Sequence, residues 1–114
     1  MDGFDDGLIK ENPMTCEQTA RSNHKNGMNC AMAVYTALGG EKDNAPKPRA
    51  EGGKCGAVLA AEQIIRESYL GDPAEFDKEF LGMFGSLKCA DLRGILRGRC
   101  NDYVGTAAML VRLP

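Results

Sequence analysis

The stretch KCGAVLAAEQIIRESYLGDPAEFDKEF, residues 54–80, decides the fold class of this 114-residue chain. Val58, Leu59, Ala61, Ile64, Ile65 and Tyr69 recur at the spacing of one helix face and predict a helix from Cys55 to about Leu70 with a broad apolar surface. Such a helix belongs at the centre of a bundle. Gly71 then supplies a stop, Asp72 an N-cap, Pro73 a first helical position and Glu75 the reciprocal half of a capping box. The next helix carries Phe76, Phe80, Met83, Phe84 and Leu87 at core spacing, with a break expected at Gly85-Ser86.

The same punctuation extends outward. Asn12-Pro13 reads as a cap and first helical position, and Asn26-Gly27 as the matching stop, so a helix is expected over Pro13 to Lys25. Another begins near Asn29, with Cys30, Val34, Ala37 and Leu38 on a buried face, and ends at Gly39-Gly40. From Gly39 to Gly53 the glycines, prolines and charges read as a loop that can serve as a mobile cover. Cys89-Ala90-Asp91-Leu92 opens a short helical piece interrupted at Gly94 and Gly98, and Cys100, Val104, Ala107, Ala108 and Val111 share a face of a last helix. Nothing alternates as strands do. The expectation is an all-α compact bundle of about five helices, with residues 1–12 as a tail and 13–114 as a single domain.

Composition excludes several classes of function. With 43% apolar and 26% charged residues the chain has ordinary globular usage. A net charge of −2 gives no reason to expect nucleic acid as a partner, and the apolar runs are too short for a membrane span. The start Met1-Asp2-Gly3-Phe4-Asp5-Asp6 is acidic and lacks the pattern of a secretory signal, which predicts a cytoplasmic protein. In a reducing compartment an odd count of five cysteines fits a structural disulfide framework poorly. Metal binding, reactive thiols and plain core packing remain.

Four of the five, Cys30, Cys55, Cys89 and Cys100, stand at or near predicted helix starts, where unpaired N–H groups and the helix dipole favour thiolate. Their spacings of 25, 34 and 11 residues contain no CxxC pair. If the fold brings the helix ends together, the four can ligate an iron–sulfur cluster or, with less support, zinc. Alternatively they form two pairs that cycle between dithiol and disulfide, which needs Cα atoms within about 7 Å in each pair. In that scheme Cys55 is expected to be the most reactive, because Gly56 and Ala57 leave backbone amides uncovered and Lys54 adds positive charge. The competing class is a small helical binding or scaffold protein with a structural zinc site or incidental buried cysteines.

Asn26-Gly27-Met28-Asn29-Cys30-Ala31-Met32-Ala33-Val34, Cys55-Gly56-Ala57-Val58, Gly85-Ser86-Leu87-Lys88-Cys89-Ala90-Asp91-Leu92-Arg93-Gly94, and Cys100 ahead of Val104 and Ala107-Ala108 together resemble the C_GCAxxG_C_C family of redox-active proteins, some of which are selenoproteins. The resemblance spans most of the chain after residue 13. It implies a redox site at Cys30, Cys55, Cys89 and Cys100, with a redox partner protein, and leaves Cys16 as a bystander. Ala60 and Ala61 stand where the family pattern has glycine, and the segment between Cys89 and Cys100 is short.

The remaining candidates read as structural. Lys88, Arg93, Arg97 and Arg99 form a basic segment that can lower thiolate pKa values or dock an acidic partner, although a solvated surface explains them as well. His24, the only histidine, reads as a contact to the C-terminal end of a helix dipole. Glu62, two turns from Cys55, reads as solvent-facing, and Met28, Met32, Met83 and Met109 as packing. Neither a haem attachment site nor a nucleotide-binding loop is present.

Overall fold

The computed structural model describes residues 15–95 and 99–111, and among these described residues five α-helices carry the fold. They are α1 (Cys16–Lys25), α2 (Cys30–Ala37), α3 (Gly56–Glu67), α4 (Pro73–Phe84) and α5 (Cys100–Leu110), with a 3₁₀ turn at Lys42–Asn44 and a π-helical turn at Asp91–Ile95. No strand occurs among the described residues, and the all-α bundle expected from the sequence is what forms.

Local chemistry sets most of the boundaries. α1 starts later than Asn12-Pro13 suggests: those two residues and the 1–12 tail lie outside the described residues, and the cap is Thr15. Its hydroxyl accepts from Gln18 N at 3.1 Å while Gln18 Oε1 accepts from Thr15 N at 3.0 Å. Asn29 caps α2 by accepting from Met32 N at 2.8 Å. Asp72 caps α4 through Ala74 N at 2.9 Å, and Gly85 ends it with φ of 86°, a left-handed turn that suits glycine. α3 ends at Glu67, before Leu70. Tyr69 has φ of 54° and is 93% exposed, so it leaves the apolar face on which its spacing placed it.

α3 is the central element. Every residue from Gly56 to Glu62 is buried, as are Ile64 and Ile65. It packs on α2, α4 and α5, while α1 lies across α2 and α5. Ala31, Ala33, Ala57, Ala60, Ala61, Ala107 and Ala108 are buried where these helices meet, and such small residues allow close approach. Phe76 and Phe80 fill the space under α4. Phe80 lies 4.9 Å from Phe84, and Phe84 meets Tyr103 of α5 edge-on at 4.8 Å. Met83 and Met109 are about half exposed (54% and 49%) and take no part in the core that their spacing suggested.

One feature has no counterpart in the helical pattern. Lys54 and Lys88 form an isolated antiparallel bridge, in which Cys55 N donates to Leu87 O at 2.8 Å and Cys89 N donates to Gly53 O at 3.0 Å. The bridge ties the start of α3 to the start of the turn that follows α4, with Cys55 and Cys89 flanking the paired lysines.

Candidate functional site

The helix starts converge as the sequence chemistry requires. Asn29 places Cys30 as the first residue of α2, Cys55 occupies the cap position of α3, the bridge carries Cys89, and Cys100 is the first residue of α5. All four cysteines line one cavity of about 260 Å³, together with His24, Asn29, Pro48, Arg49, Leu92, Arg93 and Tyr103. Cys16, at the start of α1, borders a different hollow beside Ala108 and Met109.

Within the cavity the four thiols are not equivalent. The Cys30 sulfur receives the Cys55 thiol, and it also receives the backbone N–H groups of Ala31, Gly56 and Ala57. Two helix N-termini, its own and that of α3, therefore aim at one sulfur. Asn29 reinforces this by engaging Met32 N, which leaves the Ala31 N–H for the thiolate. The donated Cys55 S–H, aided by these amides, holds the Cys30 thiol at about 6, well below its ordinary value, in spite of desolvation. The approach depends on a missing side chain: a Cβ on Gly56 would stand 2.6 Å from Cys30 Sγ.

Cys55 is pushed the other way. Its hydrogen bond to Cys30 and its burial, 3% exposed, both hold the proton on sulfur. The residue expected to be the most reactive is thus the hydrogen-bond donor of the pair, and Lys54 does not serve it. Burial raises the Cys100 thiol, with Arg93 opposing and the neighbouring Cys30 and Cys89 adding to the rise. Cys89 is buried, on the same cavity as Cys55.

Two polar groupings include residues that read as structural in the sequence, and the first stands on the cavity wall. His24 lies on the cavity wall at the end of α1, and its ring is oriented by Asn101. Asn101 Nδ2 donates to Arg21 O at 3.1 Å, and Asn101 Oδ1 accepts from Arg21 Nη1 at 3.4 Å, which fixes the amide so that Nδ2 also faces His24 Nδ1 at 3.3 Å. A donor facing Nδ1 requires that nitrogen to be unprotonated, so the ring proton sits on Nε2. Burial, then the charge of Arg93, lowers the His24 pKa and keeps the ring neutral. Gly105 makes room for this arrangement, since a Cβ there would meet the Arg21 guanidinium at 2.2 Å.

Glu62 does not face solvent. It is 2% exposed, and its Oε2 accepts from Lys54 Nζ at 3.0 Å, with Asp77 Oδ2 at 4.0 Å from the same ammonium. Glu62 Oε1 and Asp77 Oδ1 are both buried without a hydrogen-bond partner. Burial, followed by the hydrogen bond to Glu62 and its charge, raises Asp77 to about 7. Lys54 is thereby anchored away from the thiols.

Of the basic segment, Arg93 reaches the cavity and Lys88 joins the bridge. Arg99 precedes α5 as an exposed cap residue, and Arg97 lies outside the described residues. Arg49, which no motif singled out, borders the cavity from the loop over 39–53, with φ of 64°. Among the described residues no three His, Cys, Asp or Glu side chains stand close enough to hold one metal ion, so this geometry fits a thiol pair better than a four-sulfur ligand set. No described helix is long and apolar enough to cross a membrane. Neither a family model, a curated protein nor a solved structure matches the chain.

Proposed function

We propose that the protein is a thiol–disulfide redox protein in which Cys30 is the nucleophile and Cys55 the resolving thiol. The observation that carries this reading is that Cys30 and Cys55 line one cavity with the start of α3 pressed against the Cys30 sulfur, where a Cβ on Gly56 would stand 2.6 Å from Sγ. A nucleophile needs thiolate at neutral pH and an open approach, and Cys30 is the half-buried member of the pair while Cys55 waits behind it, buried. Cys89 and Cys100 supply a second dithiol on the same cavity. The resemblance to the C_GCAxxG_C_C proteins points the same way.

The test is oxidation of the reduced protein followed by peptide mapping. A Cys30–Cys55 disulfide is expected, formed reversibly against a dithiol buffer and lost in both Cys30→Ser and Cys55→Ser. Anaerobic purification with measurement of iron, zinc and acid-labile sulfide is the companion experiment. Stoichiometric iron with sulfide would replace this reading by cluster ligation, and stoichiometric zinc would replace it by a structural site.

A further inference from the structure

The cavity holds two cations that the dithiol chemistry does not use. Arg49 and Arg93 both border it, and neither forms an ion pair with a carboxylate among the described residues. Two other cations near the site are committed: Lys54 to Glu62 and Asp77, and Arg21 to Glu17 and Asp102. A second hollow, of about 370 Å³, shares the border residues Arg49, Cys89 and Arg93 with the first, so both arginines stand where the hollows meet. Arg49 is held there at a backbone cost, since φ of 64° is a left-handed conformation that non-glycine residues seldom take; Arg49 N donating to Lys54 O at 3.0 Å closes the turn.

Guanidinium groups recognise carboxylates through paired N–H donors, and two of them beside a thiolate favour a small molecule carrying carboxylates near its sulfur. A volume of about 260 Å³ lies below the ~300–1,000 Å³ of a typical drug-sized pocket, and so suits one half of a compact disulfide. We infer that the substrate of this cavity is a low-molecular-weight disulfide bearing carboxylates, oriented by Arg49 and Arg93 for attack by Cys30. The inference rests on the dithiol reading above.

The reaction balances without a further reagent. The Cys30 thiolate attacks one sulfur of RS–SR, the S–S bond breaks, and RS⁻ leaves. The departing thiolate takes the Cys55 proton and becomes RSH. Cys55 then attacks Cys30 Sγ in the mixed disulfide and expels the second RS⁻. Two electrons pass from the protein to the substrate, and the protein ends as the Cys30–Cys55 disulfide. The chain's net charge of −2 disfavours an anionic ligand at long range, so a preference for one has to come from local cations.

The experiment compares oxidation of the reduced full chain, at low ionic strength and neutral pH, by dithiodipropionate (two carboxylates), hydroxyethyl disulfide (neutral) and cystamine (two ammoniums). Each rate is divided by that of a free model thiol with the same disulfide, which removes leaving-group differences. The normalised rate with dithiodipropionate is expected to exceed that with hydroxyethyl disulfide by about tenfold, with cystamine slowest, and salt should compress the order. In an Arg49→Gln/Arg93→Gln double variant the order among the three normalised rates should vanish. Equal normalised rates, a preference for cystamine, or an order that survives in the double variant would overturn the substrate class and leave the dithiol reading standing. No reaction with any of the three would overturn the dithiol reading itself.

Discussion

At the scale of single residues, the site turns on an exchange of roles between two cysteines. Cys30 is held at about 6 first by the Cys55 thiol and then by amides. A folded-state value below the ordinary thiol value means that Cys30 is thiolate above about pH 6 and protonates as the pH falls through it. The pH profile of Cys30 alkylation is therefore expected to have its midpoint near 6, against ~8.5 for a free thiol. Cys55→Ala should move that midpoint up, and a midpoint unmoved by Cys55→Ala would show that the amides alone set it. Gly56 is the second test. Its helical backbone would welcome alanine, by up to about 1 kcal/mol. The 2.6 Å contact with Cys30 Sγ outweighs that, because overpacking costs roughly 1–3 kcal/mol. Gly56→Ala should lower Tm by several degrees and raise the alkylation midpoint, both readable on the purified variant. Composition and spacing identified the four thiols but ranked Cys55 first. The ranking depends on whose sulfur receives the amides at the start of α3: that of Gly56 reaches across to Cys30 of α2, and that of Ala57 serves Cys30 and Cys55 alike.

At the scale of elements, the helices follow from caps and glycines that the sequence displays, whereas the links between helices do not. Thr15-x-x-Gln18 is a capping box visible in the chain, and it displaces the Asn12-Pro13 start because both of its hydrogen bonds form. The Lys54–Lys88 bridge, the Asn101–His24 contact and the Glu62–Asp77 pair join positions far apart in the chain, and no local periodicity encodes them. The last two have measurable consequences. His24 is the only histidine, so its NMR titration is unambiguous. It should show the Nε2–H tautomer and a pKa below the ordinary value, rising on Arg93→Ala because that charge is removed. Loss of the Nε2–H preference in Asn101→Leu would show that the amide sets the tautomer. For the carboxyl pair, a folded-state value of about 7 lies above the unfolded one of Asp77. Its contribution to stability is thus complete below the unfolded value and is lost as the pH rises through about 7. Asp77→Asn copies the protonated form. It should raise Tm at pH 8 by about 4–8 °C for each ~1 kcal/mol relieved, and should have little effect at pH 5.

At the scale of the whole molecule, oxidation should be felt as stability. A bond between Cys30 and Cys55 closes a loop of 25 residues, and the loss of unfolded-chain entropy for such a loop is worth about 3 kcal/mol. The oxidised protein is expected to melt at a higher temperature than the reduced one, the difference disappearing in Cys55→Ala and persisting in Cys16→Ser. An equal melting temperature in both redox states would place the oxidised pair elsewhere. The fold class was legible because α3 is apolar enough to demand a surround, and the cysteines were legible because they open helices. Of the two cations at the cavity, Arg93 stood out in the basic segment and Arg49 did not, since it sits in a stretch that reads only as loop.

The bridge between Lys54 and Lys88 also says something about how the chain can change. Because Gly53 and Cys55 are paired with Leu87 and Cys89, the intervening helical hairpin leaves the site and returns to the place it left. Its far end, at the exposed Gly71 and Asp72, can be lengthened or exchanged with the hairpin's two roots still clasped. The protein can thus vary its outline at that end while keeping Cys55 and Cys89 in register, a fixed chemical core with an interchangeable arm.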